Sequence, residues 1–255
     1  MTSLAMIRNS LRLCAAALLA FASVQQGSAT SVSPMVVDLQ STGRGVVANV
    51  SVTNTADKPL TMEVGTVALE PRPDGLSPGD GSADDLLVVP PTALIPPGQT
   101  QTFRIQWIGD PEPAISYHYY VGLNQLPVQL PEGESAVQIV YNFNVLVSVG
   151  ATDGKAALVV QSSAITEREG KPAPSVTVSN SGDTYGYLTQ RSLKIVQTDS
   201  SGKEVFNRTL AGNEFQQLVG YGLVATGQTR TMVLPIELPS ATGTLTATLL
   251  DERGP

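Results

Sequence analysis

The sequence predicts an all-β protein built of two sandwich domains. Two observations carry that prediction. Short segments with an apolar residue at every second position recur along the chain, which is the period of a strand. Clusters of Gly, Pro, Asn and Asp separate them at the spacing of sandwich turns. The segments fall at residues 35–39, 46–52, 60–69, 103–107, 117–123, 137–149, 158–161, 176–178, 193–196, 231–234 and 245–249, and none after residue 29 has a convincing 3.6-residue period.

The chain opens with Arg8 and Arg12, an apolar run over residues 13–24, and Gly27-Ser28-Ala29, small residues suited to a signal peptidase. This reads as a secretory signal over residues 1–29, cleaved after Ala29. Its apolar run falls short of the roughly 20 residues that cross a bilayer as a helix. Cys14, the one cysteine, lies inside this segment behind Arg12 and Leu13, which does not fit a lipid-attachment site. The remaining 226 of 255 residues hold no thiol and no disulfide, and suffice for two domains of about 110 residues with self-sufficient cores. Without the signal, 13 basic residues face 22 acidic ones, a net charge of −9 that serves solubility and argues against nucleic acid as a partner.

Residues 137–149 (VQIVYNFNVLVSV) place Val137, Ile139, Tyr141, Phe143, Val145, Val147 and Val149 on one face. Such a strand exceeds the usual 5 or 6 residues. It reads either as a long central strand or as a surplus apolar row offered to another chain by strand addition. It ends at Gly150, and the polar turn ATDGK that follows marks the boundary between domains at 30–150 and 151–255. Residues 71–85 (PRPDGLSPGDGSADD) read as a flexible, solvated acidic loop, since their carboxylates lack the alternation of a calcium loop.

Enzyme chemistry finds little support. With one histidine, a Ser-His-Asp triad rests on His118 alone, and no hydrolase nucleophile elbow is expected beside it. Zinc and copper sites want several His or Cys ligands. The glycine-rich residues 220–227 lack the Gly-Lys-Ser/Thr of a phosphate loop. No catalytic residue, metal, cofactor or small-molecule substrate is expected.

Residues 86–127 hold an apolar strand ending in Pro90-Pro91, a Pro97-Gly98 turn, an alternating strand with Arg104 at its centre, and a Tyr-rich strand from Tyr117 to Leu126-Pro127. With Ser33-Pro34, VVANVSVTN over 46–54 and Asp57-Lys58-Pro59, this order resembles the periplasmic chaperones of the chaperone-usher pilus pathway. VTVSNSGD over 176–183 is similar, more weakly, to the opening of that family's second domain. The resemblance implies two immunoglobulin-like β-sandwich domains set at an angle with a cleft between them. It implies a periplasmic chaperone that caps pilus subunits, which are sandwiches lacking their last strand, and delivers them to an outer-membrane usher. The matching donor residues are Val137, Ile139, Tyr141 and Phe143. The family's basic pair, which holds the subunit's terminal carboxylate, falls at Val36 and Leu146, neither charged. The surrounding YNFNVLVSV looks more like the archaic branch associated with spore-coat-like pilins, whose basic residue follows the Tyr of the sixth strand and is here His118. Arg104 is the other candidate anchor, since guanidinium binds carboxylate through two parallel hydrogen bonds. The rival reading is a secreted immunoglobulin-like adhesin or structural pilus component. A subunit, however, should lack its own last strand and often carries a cysteine pair.

Overall fold

The structure, a computed structural model, describes residues 30–127 and 140–251. Alternation buries one row of each strand, and the rows meet in two separate cores. The first is made by β1 (Ser31–Ser33), β2 (Val36–Gln40), β3 (Val47–Thr53), β4 (Leu60–Arg72), β5 (Gly75–Pro78), β6 (Leu86–Val89), β7 (Thr92–Ile95), β8 (Thr100–Trp107), β9 (Tyr117–Gln125) and β10 (Asn142–Gly150). One sheet runs β1-β3-β8-β6 and the other β2-β10-β9-β4-β5, with β7 also paired to β4. The chain thus changes sheet between β1 and β2, and β2 runs parallel to β10 where the other pairs are antiparallel. Phe103, Ile105 and Trp107 of the first sheet pack on Met62, Tyr119, Val145 and Val147 of the second. Burying each such side chain contributes about 1.5–3 kcal/mol.

The second core begins at Leu158. It is made by β11 (Leu158–Arg168), β12 (Lys171–Asn180), β13 (Gly186–Tyr187), β14 (Arg191–Thr198), β15 (Glu204–Leu210), α1 (Gly212–Val219), β16 (Leu223–Val224), β17 (Thr229–Val233) and β18 (Thr244–Asp251). Its sheets run β11-β12-β17, β15-β14-β18 and β13-β16. The described residues are strands and loops but for two short 3-10 helices, Gly43–Val46 and Leu188–Gln190, and α1, which sequence periodicity did not predict. Phe215 is buried there, and Leu218 and Val219, three and four residues on, pack half-buried against the same core. Two turns are too short for that stripe to register in a window of about 11–18 residues.

Residues 79–85 hold no strand, but residues 71–78 are not the expected free loop: β4 runs on to Arg72 and turns into β5, and the tip of this hairpin docks on the second domain. Thr231 N donates to Pro73 O at 2.7 Å, and Gln228 Nε2 lies 2.7 Å from both Arg72 O and Gly75 O. The Pro-Asp-Gly turn chemistry was visible; the docking partner about 150 residues downstream, which satisfies the tip's carbonyls, was not.

Candidate strand-addition edge and interdomain cleft

Strand β10 has one complete edge and one half-covered edge. Strand β9 pairs with it over residues 142–149, whereas β2 pairs with it only over residues 146–150. Leu146 N donates to Met35 O on the β2 side at 3.0 Å. Backbone groups alternate between the two edges of a strand, so Asn144 and Asn142 direct their N–H and C=O to that same side. There, among the described residues, no strand pairs with them. Such an unpaired edge is a template for another strand. Of the expected donor residues, Val137 and Ile139 lie outside the described residues. Tyr141 and Phe143 are half-buried, stacked on each other with ring centroids 6.2 Å apart, and Phe143 packs against the margin of the core.

The face of this sheet turned away from the first core is banded. Asn142, Asn124 and Glu63 form one cross-strand row, and Asn144, Gly122 and Gly65 the next. Then come Val36, Leu146, Tyr120 and Val67. Here the second domain begins to cover the sheet: Val36, Leu146 and Leu76 pack with Tyr187, Leu223 and Ala225. The two positions where the resemblance places a basic pair are therefore apolar and in contact with the other domain.

Beside them opens a cavity of about 270 Å³, lined by Tyr120, Leu146, Tyr221, Leu223, Asp74 and Arg230. Arg230, on β17, was not singled out from sequence. Its Nη1 donates to Leu223 O at 2.6 Å and its Nε to Asp74 O at 3.2 Å. Burial lowers its pKa from the ordinary value, against the raising effect of Asp74, yet a guanidinium stays charged at physiological pH. Among the described residues no carboxylate lies within ion-pair distance of it. A half-buried cation held only by carbonyls, with N–H groups to spare, is chemically an anion site. It suits carboxylate in particular.

The structure brings neither expected anchor to this cavity. His118 is 2 % exposed, with Nδ1 2.9 Å from Ser148 Oγ and Nε2 3.1 Å from Ser116 Oγ. Arg104 is exposed on β8, paired with Asn49 and Val89 in the opposite layer of the sandwich. Residues 75–79 (GLSPG) do spell Gly-x-Ser-x-Gly, against expectation, but on β5. Ser77 sits there opposite Glu70 in a hairpin and not at a strand-to-helix turn, so the spelling is not a nucleophile elbow. No cluster of three or more potential metal ligands occurs among the described residues.

No protein-family model matches the chain, and no curated protein sequence matches it. Among solved structures it is similar to the class 5 fimbriae chaperone CfaA, at 13 % identity and a TM-score of 0.51, over 87 % of this chain and 99 % of that one. It is equally similar to the YadV chaperone, at 13 % and 0.51, over 86 % and 91 %. The CsuC–CsuE chaperone–tip adhesion subunit complex from archaic Csu pili of Acinetobacter baumannii aligns at 11 % identity and a TM-score of 0.48, over 84 % and 94 %. The likenesses to CfaA and YadV define a class of fold. The chain has the two-domain, all-β architecture of the fimbrial chaperones.

Proposed function

We propose that this chain is a non-enzymatic, periplasmic chaperone that caps pilus subunits by strand addition, closest to the archaic branch, and passes them to an outer-membrane usher. The observation that carries this reading is the half-covered edge of β10, opening beside a cleft that holds an unpaired guanidinium. Val137, Ile139, Tyr141 and Phe143 are the side chains that enter the subunit's groove, while the backbone of Asn142 and Asn144 pairs with the subunit's own edge strand. Arg230 receives the subunit's terminal carboxylate in place of the absent pair at Val36 and Leu146. Export rests on residues 1–29, which lie outside the described residues.

The test is capture. Tyr141→Asp puts a carboxylate where an apolar groove must close over it, at a cost of several kcal/mol. The variant should stay folded, with stability changed by about 1 kcal/mol or less. It should no longer co-purify with the subunit identified by mass spectrometry in the wild-type complex. A folded Tyr141→Asp protein that still holds the subunit would contradict the reading.

A further inference from the structure

The domains meet on a seam of polar side chains centred on His118, which is buried together with Ser116, Ser148 and Tyr187. Tyr187 and Tyr185 hydroxyls both donate to Asp38 Oδ1, at 2.6 and 2.8 Å. Ser148 Oγ lies 2.9 Å from His118 Nδ1, and Ser116 Oγ lies 3.1 Å from Nε2. A neutral imidazole donates from one of these nitrogens and accepts at the other, so one of the two serine hydroxyls donates to the ring. Ser116 Oγ accepts from the Thr226 N–H at 3.2 Å and lies 2.9 Å from the Thr226 hydroxyl, while Ser116 N–H donates to Thr226 Oγ1 at 3.1 Å. Asp38, Ser116, His118 and Ser148 belong to the first domain, and Tyr185, Tyr187 and Thr226 to the second. Hydrogen bonds therefore cross the junction at Asp38 and at Ser116.

The surroundings of the ring hold nothing that would welcome a charge. From the second domain it faces Tyr185, whose ring stands edge-on at 5.4 Å; burial holds the Tyr185 and Tyr187 phenols neutral. Its neighbours across the sheet are Leu69 on β4 and Ser148 on β10. Asp38, on β2, is the one formal charge in this cross-strand row and lies beyond Ser148.

We propose that His118 makes the domain junction acid-labile. A second ring proton makes both nitrogens donors, so the serine hydroxyl that had donated to the ring loses its acceptor while an uncompensated charge stands at a buried position. The second domain parts from the first there, and the cleft loses its fixed width. This inference holds whether or not the chain caps a pilus subunit.

The direction follows from linkage. Burial brings the imidazole down from 6.5 to about 4. The closed junction therefore binds the proton less well than an opened one. Closure is fully favoured above about pH 6.5, is lost progressively as pH falls towards 4, and shifts by up to roughly 300-fold across that window.

The chain has one histidine, so its imidazole signal in NMR is unambiguous. At pH 7 the ring should be neutral. On acidification, protonation should coincide with changes at the Ser116 and Thr226 amides and with an increase in the radius of gyration in solution scattering. His118→Gln, which cannot take up the proton, should keep both readouts constant to a lower pH than the wild type. A ring that titrates near 6.5 with those amides unmoved would overturn the proposal, as would a His118→Gln protein that opens over the wild-type range. The wild-type titration decides the matter alone where that variant does not fold.

Discussion

Along β10 one alternation of apolar residues meets two environments. Val145, Val147 and Val149 are fully buried, and the backbone around them is bonded to β9 on one edge and β2 on the other. Tyr141 and Phe143 continue the same row but are half-buried, and among the described residues no strand pairs with the edge beside them, where β2 does not reach. Side-chain period therefore decides only which face a residue takes. Whether that face is structural or available is decided by where the neighbouring strand starts, and β2 starts at Val36, opposite Leu146.

Equivalent substitutions in the two halves should separate stability from capture. The largest effect is expected at Val147→Asp, which places a carboxylate in a closed core and should cost more than about 4 kcal/mol, enough to unfold the first domain in a thermal or urea melt. Tyr141→Asp, six residues earlier on the same row, should melt almost as the wild type while losing the subunit. If both variants unfold, the two halves are one core and the contrast fails. A smaller effect is expected in the cleft. Arg230→Ala should weaken subunit binding by about 1.5–3 kcal/mol, the scale of a charge-assisted hydrogen bond, whereas Arg104→Ala should leave both affinity and stability within about 0.5 kcal/mol. Equal affinities for the two variants in a calorimetric titration would remove Arg230 from the site.

How much of this was legible in the sequence follows the reach of the interactions involved. The all-β class, the strands of the first sandwich and the apolar row from Tyr141 to Val149 follow from local alternation, although the strand itself begins only at Asn142 and residues 137–139 lie outside the described residues. Hairpin β4–β5 and the seam at His118 depend on the second domain covering a sheet face. In β9 that covering makes His118 as inaccessible as Tyr119 on the opposite face, although alternation alone would assign one of them to solvent. Arg230 sits in Thr-Arg-Thr-Met-Val, which reads as the polar face of an edge strand. It becomes a cleft residue only because β17 lies against the β4–β5 tip, Thr231 N donating to Pro73 O. A single cation in an otherwise uncharged strand was the one available signal, and it is weak in a chain where most charges are solvated.

The central claim is that the first half of β10 is an open backbone edge that a subunit closes, and amide hydrogen exchange addresses it residue by residue. In the free protein the Asn142 and Asn144 amides should exchange fast, while those of Val147 and Val149 should be protected. In the purified complex Asn142 and Asn144 should slow to the rate of the core amides, with Val147 and Val149 unchanged. Asn142 and Asn144 amides that are already protected in the free chain, or that exchange at the free rate in the complex, would contradict the account.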